Sequence, residues 1–176
     1  MDARLKIAGL ALSLAGFAAY TQYEGWSGVA RPPVRGDVAT YGFGSTRGPN
    51  GEALHGGERI DPPRAVALAV RDVREHEARL KRCLEGVQLS QAEFDAFMSL
   101  ALNVGSAKVC ASSIPAKLKA GQYDAACRTI LDFGKFCTAA KVDGKCPPGA
   151  LVELDGLMKR RRAEYRTCIS GGENRA

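Results

Sequence analysis

The sequence predicts an α+β protein that is mostly helical, with a small β-containing N-terminal lobe, a larger helical lobe and a cleft between them. Residues 24–58 are rich in Gly, Pro and Thr and contain one candidate strand or hairpin, Val38–Thr46. From Pro62 onward, apolar residues recur at helical spacing. The length of 176 residues suits one domain with a sizeable hydrophobic core.

The N-terminal segment has the pattern of an export signal. Arg4 and Lys6 precede the apolar run Ile7–Tyr20, and basic residues followed by an apolar stretch direct a chain to export. As a helix, this run would be about 21 Å long, against a bilayer hydrocarbon core of ~30 Å. The sequence therefore predicts a segment whose affinity for a membrane is weak.

Several roles are open for this segment: a cleaved signal peptide, a permanent anchor, an anchor that leaves the bilayer, or a buried N-terminal helix of a cytosolic protein. Cleavage after Ala18 would remove the residues that lead into Glu24, which is identified below as a candidate catalytic residue. We therefore favour the uncleaved anchor that can be released.

Helices are predicted where apolar spacing coincides with start and stop residues. Asp61 before Pro62 is typical of an N-cap followed by a first-turn proline. Ser90 with Glu93 forms a capping box. The predicted helices are 62–83, one that begins at Ser90 and ends near Gly105, 113–121, 123–131, and 149–167 after the Pro147-Pro148 pair.

Charge and residue types restrict the partners. The formal net charge of +6 favours an anionic partner such as acidic lipid or cell wall. The basic run Lys159–Arg162 is interpreted as a solvated helix face. The sequence has no zinc-finger spacing and no aromatic-basic RNA motif, so no nucleic-acid partner is predicted. With two histidines and no C-x-x-C pair, it predicts neither a metal site nor another cofactor.

The cysteines predict disulfide bonds. The six cysteines are Cys83, Cys110, Cys127, Cys137, Cys146 and Cys168. An even number of dispersed cysteines in a modest domain is typical of an oxidising compartment, whereas free thiols would indicate a cytosolic protein. Spacing does not settle the pairing. We favour a short loop Cys137–Cys146, a staple Cys110–Cys127 between consecutive helices and, by elimination, Cys83–Cys168.

The chemistry is expected in residues 23–46. Glycoside hydrolysis needs an acid that protonates the leaving oxygen, and a second polar group that handles water or the positive charge of the transition state. Glu24 follows the apolar run, and Asp37 is the only carboxylate between Glu24 and Thr46. These two residues are therefore the candidate acid and its partner.

This stretch resembles the glycoside hydrolase family 24 lysozymes, the group that includes the lysozyme of T-even phages and the membrane-released endolysins of lambdoid phages. The family motif is a catalytic Glu-Gly pair, an Asp and a T-x-G-x-G strand, and Glu24-Gly25 and Thr40–Gly44 match it. Leu102–Gly105 resembles the family's asparagine-glycine helix end, and Gly156–Glu164 resembles its G-L-x-x-R-R-x-x-E helix. The resemblance covers nearly the whole chain in the right order.

The sequence departs from the family pattern at two places. The family's usual positions for the Asp fall on Pro33 or Val34, which are not acidic. Asp37 either takes over that role from a reshaped turn or only caps the turn. Ser45 stands where T-even lysozymes have His, so a structural ion pair is expected to be lost there.

The resemblance implies a lysozyme-like fold and an endolysin that hydrolyses the β-1,4 bond between N-acetylmuramic acid and N-acetylglucosamine of peptidoglycan, for host cell lysis. It implies that Glu24 is the general acid and that Asp37 and Thr40 position or activate water. The implied substrate-binding residues are Tyr41, Gly42, Gly44 and Asn103. A monomer without a cofactor is expected.

The resemblance to signal-anchor-release endolysins also implies a domain organisation and a location. Residues 1–22 would tether the exported chain to the inner membrane on its periplasmic side, then become the first helix of the fold. Residues 23–170 would form the catalytic domain, and residues 171–176 a flexible tail. No cysteine precedes Cys83, so control of activity would be steric or conformational.

Other functions remain open on the sequence. A lytic transglycosylase would use Glu24 without water and form an anhydro sugar. A non-enzymatic, membrane-tethered wall-binding protein would not need Glu24 at all. A cytosolic helical interaction protein would have free thiols.

Overall fold

The computed structural model describes residues 3–32, 38–137 and 146–173. Its helices are α1 Leu14–Glu24, α2 Pro62–Cys83, α3 Gln91–Val104, α4 Ser106–Ala111, α5 Ile114–Lys119, α6 Tyr123–Thr129 and α7 Asp155–Glu173. Its strands are β1 Leu5–Lys6, β2 Ser27–Arg31, β3 Thr40–Gly42, β4 Gln88–Leu89, β5 Lys135–Cys137 and β6 Leu151–Glu153. Short 3₁₀ turns cover Ile7–Gly9 and Ile130–Gly134. The strands form the antiparallel pairs β1–β4, β2–β3 and β5–β6. The predicted α+β class, mostly α, is confirmed.

The chain divides into two compact units. The β unit, Ser13–Ala78, contains α1, the β2–β3 pair and most of α2. The helical unit contains the residues from Arg79 onward together with the N-terminal residues up to Leu12. The boundary at Leu12 lies inside the apolar run that the sequence analysis treated as one segment.

The apolar run does not form one helix. Ser13 caps α1, because its side chain accepts a hydrogen bond from the amide of Gly16 at 3.0 Å. The residues before Ser13 join the helical unit, where Leu5 pairs with Leu89 and Ile7 and Leu10 are buried. Among the described residues, no helix combines the length and the apolar composition needed to cross a membrane.

The helical unit has its core between α3 and α7, which pack against each other. The predicted capping box is present, with Ser90 and Glu93 bonding to each other's backbone amides. Fully buried side chains include Phe94, Phe97, Leu100, Ile114 and Ile130. Burying a side chain of this size contributes about 1.5–3 kcal/mol, so this core holds the short helices α4–α6 in place.

The basic run on α7 is not a solvated face, which corrects the prediction. Lys159 and Arg162 are exposed, but Arg160 and Arg161 are buried. Both guanidinium groups pair with Glu164, at 3.2 Å from Arg160 Nε and 2.9 Å from Arg161 Nε. Helical spacing brings all three side chains to one face of α7, so the G-L-x-x-R-R-x-x-E pattern encodes a buried ion-pair cluster.

Helix α3 completes this cluster. Ser99 Oγ donates to Glu164 Oε1 at 2.6 Å, and Arg161 donates to Asn103 Oδ1 at 3.0 Å. Burial raises the pKa of Glu164, and the guanidinium of Arg161 acts in the opposite direction. The carboxylate is thus held between two helices by partners from both.

The last helix begins and ends later than predicted. Leu151–Glu153 pairs with Lys135–Cys137 as strand β6, and α7 begins at Asp155. Gly149 has a φ of +79°, a left-handed conformation that ends the turn after the prolines instead of opening a helix. The helix continues to Glu173, and Gly171 lies against Ser90 with no room for a side chain. The region predicted as a flexible tail is therefore helical up to Glu173.

Disulfide bonds are present, but two predicted pairings are wrong. Cys83 is joined to Cys110, and Cys127 is joined to Cys168. The first bond links the end of α2 to α4 and the second links α6 to α7, so helix packing rather than order along the chain decides the pairs. Cys146 is also disulfide-bonded. The side chain of Cys137 lies outside the described part of the structure, so the Cys137–Cys146 pairing stays a prediction.

Candidate active site

The β unit has a small core that positions strand β3. Its buried members are Ala30, Ala39, Tyr41, Leu54 and Leu68, with Ile60 packed against them. Tyr41, predicted as a substrate-binding residue, is only 3% exposed, so its ring belongs to this core. Burial raises the pKa of the Tyr41 hydroxyl, and the negative charge of Glu52 adds to the effect. The buried ring of Tyr41 therefore anchors strand β3 to the core of the β unit.

Glu24 is the last residue of α1, and that helix end is tied to the loop after β3. Tyr20, one turn earlier, is 4% exposed, and its hydroxyl donates to the carbonyl oxygen of Phe43 at 2.8 Å. The helix stops at Gly25, whose φ is +68°. The carboxyl of Glu24 is thus delivered at a defined place beside the loop.

Steric constraints explain why the T-x-G-x-G motif has glycine at two positions. Gly44 has a φ of +84°, and a Cβ there would lie 2.9 Å from Glu24 Oε2. Gly42 has a φ of +61°, and a Cβ there would lie 2.9 Å from the Cβ of Ala65 on α2. Only glycine combines this left-handed backbone with such close approach. The two glycines therefore let the backbone pass close to α2 at Gly42 and close to the carboxyl of Glu24 at Gly44.

A side-chain hydrogen bond also connects the loop after β3 to α2. Tyr41 and Ser45 exchange two backbone hydrogen bonds of 3.1 Å, and Ser45 Oγ donates to Asp72 Oδ2 at 2.6 Å. Asp72 also pairs with Arg71 at 2.9 Å. Ser45 therefore keeps a link to an acidic side chain as a hydrogen bond, in place of the ion pair that was expected to be lost.

Five of the predicted site residues line one pocket of about 450 Å³: Glu24, Thr40, Tyr41, Gly42 and Gly44. It is lined by Glu24, Gly25, Trp26, Ser27, Arg31, Pro32, Thr40, Tyr41, Gly42 and Gly44. Asn103 lies on α3 of the helical unit, where its side chain accepts from Arg161. Asp37 lies outside the described residues. Among the described residues, no cluster of His, Cys, Asp or Glu could hold a metal ion.

Trp26 and Arg31 also line the pocket, although neither was predicted as a site residue. Trp26 is 48% exposed, and its ring lies 5.5 Å from that of Phe43. Its position directly after the Glu24-Gly25 pair could have predicted that it lies at the site. Arg31 is exposed and lies opposite Thr40 across the β2–β3 pair. That neighbour depends on strand register, which the sequence pattern did not reveal.

Known proteins resemble this chain in sequence and in fold. The phage lysozyme family model matches residues 21–164. The endolysin of Acyrthosiphon pisum secondary endosymbiont phage 1 is 34% identical over 125 residues, covering 71% of this chain and 75% of that protein. The endolysin from Escherichia coli O157:H7 phage FAHEc1 superposes with a TM-score of 0.75 at 25% identity, over 92% of this chain and 94% of the other. The active form of the P1 phage endolysin Lyz has a TM-score of 0.72 at 22% identity, over 96% and 90% of the chains, which is a likeness of fold.

Proposed function

Since this chain belongs to the phage lysozyme family, we propose that Glu24 is the general acid with which it hydrolyses the glycan strands of peptidoglycan. The chain is a glycoside hydrolase of the lysozyme type, an endolysin that acts on the bacterial cell wall. The observation that carries the proposal for Glu24 is the pocket that it shares with Thr40, Gly42 and Gly44.

The proposed reaction follows from the place of each side chain. Glu24 gives its proton to the glycosidic oxygen between N-acetylmuramic acid and N-acetylglucosamine, and the bond to the anomeric carbon breaks as positive charge develops on the sugar ring. The hydroxyl of Thr40 positions the water that adds to this carbon. Asp37 is proposed to activate that water or to stabilise the positive charge. Gly42 and Gly44, which line the pocket, are proposed to contact the glycan through their backbone.

The test compares wild type with Glu24→Gln, Thr40→Ala and Asp37→Ala on purified peptidoglycan. Loss of a general acid typically costs about 10²–10⁴-fold in rate, so Glu24→Gln is expected to abolish clearing of the suspension. Glu77→Gln is the control, because Glu77 lies on α2 outside the pocket. Mass analysis of the products should show hydrated sugar ends, whereas anhydro ends would identify a transglycosylase. An active Glu24→Gln enzyme would contradict the proposal.

We also propose that the chain reaches the periplasm and is first held at the inner membrane by residues 1–22, acting as a monomer after release. The weak membrane affinity predicted for Ile7–Tyr20 supports this proposal, and so do the contacts of Arg4 in the fold. Arg4 makes two bonds to the carboxylate of Glu93, one of them 2.9 Å from Nε to Oε2, and its guanidinium lies over the ring of Tyr123. A segment inserted in a bilayer gives up these contacts, so membrane attachment and the folded arrangement exclude each other.

A further inference from the structure

Trp26 and Arg31 line the pocket of Glu24 but have no part in the proposed acid chemistry. Trp26 is the single tryptophan of the chain, and about half of its surface faces solvent. A large aromatic side chain beside a candidate acid marks a place where a ligand covers apolar surface.

The indole of Trp26 packs against one aromatic neighbour and lies close to a glycine. Phe43 packs on it with ring centroids 5.5 Å apart and an interplanar angle of 58°. On another side lies the backbone of Gly28, where a Cβ would come within 3.8 Å of the indole carbon Cζ2. The contact with Phe43 restricts the ring before any ligand arrives, which reduces the entropy lost on binding. Its exposed part is a flat apolar surface, the kind of surface that suits the apolar face of a pyranose ring.

Arg31 lines the same pocket because the strand register places it beside Thr40. It lies directly opposite Thr40 in the antiparallel pair, and opposite residues have their Cβ atoms about 4.5–5.5 Å apart on one face of the sheet. Within the described residues, Arg31 has no ion pair with a carboxylate. Its guanidinium is therefore available for a carboxylate ligand, which arginine binds in a bidentate manner.

We propose that Trp26 and Arg31 form a subsite for a sugar ring that carries a carboxylate-bearing arm. Trp26 stacks on the ring and Arg31 pairs with the carboxylate. In peptidoglycan, this is the muramic acid residue, whose lactyl arm ends in a carboxyl group or leads into an acidic stem peptide. N-acetylglucosamine has no such arm, so the subsite distinguishes the two sugars. The choice of substrate class rests on the proposed function.

The single tryptophan makes binding measurable without hydrolysis. In the Glu24→Gln background, glycan strands are titrated while the fluorescence of Trp26 is followed. The probes are strands without stem peptides and strands with them, each with carboxyl groups free or converted to methylamides. Strands with free carboxyl groups should bind about two- to fivefold more tightly, the range of one exposed ion pair. A preference on peptide-free strands assigns the carboxylate to the lactyl arm, and a preference only on the others assigns it to the peptide.

Arg31→Gln in the same background should erase this preference, and Arg31→Lys should retain part of it. Arg59→Gln is the matched control, since Arg59 is an exposed arginine of the same unit outside the pocket, and its loss changes the net charge equally. The proposal is overturned if the preference survives in Arg31→Gln, or if Arg59→Gln reduces it as much. If Glu24→Gln still cleaves strands, the assignment of the acid fails while the titration still decides the subsite.

Trp26 is tested by turnover in the otherwise unchanged enzyme. Trp26→Ala should raise KM about tenfold, the equivalent of ~1.4 kcal/mol, with little change in kcat, and Trp26→Phe should restore most of the affinity. Thermal unfolding of both variants separates binding from folding. An unchanged KM in a folded Trp26→Ala enzyme would refute the stacking role.

Discussion

Gly44 ties the backbone of the loop after β3 to the position of Glu24. Its left-handed φ and the 2.9 Å that a Cβ would leave to Glu24 Oε2 are separate constraints on the same residue. We expect Gly44→Ala to destabilise the fold by about 1–2 kcal/mol because of the left-handed backbone. We also expect kcat to fall more in Gly44→Ala than in the control variant Gly51→Ala, because the added methyl group displaces the carboxylate of Glu24.

Gly51 provides the control for this prediction. Its φ of +85° matches that of Gly44, but a Cβ there would meet nothing within 4 Å. Gly51→Ala should therefore show a comparable fall in the thermal midpoint with normal hydrolysis of peptidoglycan. Equal activity losses in the two variants would mean that backbone strain, and not contact with Glu24, explains the need for glycine.

Helix α1 depends on a contact at its C-terminal end to deliver Glu24. The hydroxyl of Tyr20 is bonded to Phe43, and the ring is buried. Tyr20→Phe should cost about 1 kcal/mol of stability and lower kcat more than it raises KM, because Glu24 loses its fixed position. Tyr165→Phe on α7 is the control for the same chemical change. An unchanged kcat in Tyr20→Phe would show that the helix end is placed by packing alone.

Element boundaries were predictable where a local signal decides them. The capping box at Ser90 and the proline start at Pro62 placed α3 and α2 correctly, because caps act on neighbouring backbone amides. Strand β6 was missed because a three-residue strand exists only through its partner β5. The Cys127–Cys168 bond was missed for a related reason, since it reports which helices pack together.

At the scale of the whole molecule, Arg4 links the proposed membrane tether to the helical unit. Glu93 is 1% exposed, so removing its guanidinium partner leaves a carboxylate poorly compensated in the core. Arg4→Gln is expected to lower stability by about 1–3 kcal/mol. It should also increase the fraction of chain that stays with the membrane in a fractionation experiment, because the released state is weakened.

Lys6→Gln is the control, because Lys6 is exposed and carries the same charge near the N-terminus. Equal membrane fractions for the two variants would mean that charge before the apolar run, rather than the bond to Glu93, determines release. Deleting residues 1–22 should yield an inactive enzyme, since Arg4, Ile7 and Tyr20 are removed together. A fully active truncated enzyme would show that residues 1–22 serve only as a targeting signal.

Residue order alone was enough to predict the fold class, the family motifs and the candidates Glu24 and Thr40, because short-range backbone rules and residue chemistry act within a few positions. Three features became known from the folded chain: the cysteine pairs Cys83–Cys110 and Cys127–Cys168, the burial of Arg160 and Arg161, and the position of Arg31 opposite Thr40. These features depend on contacts between elements that are distant along the chain. Such contacts form through packing, which residue order does not specify locally.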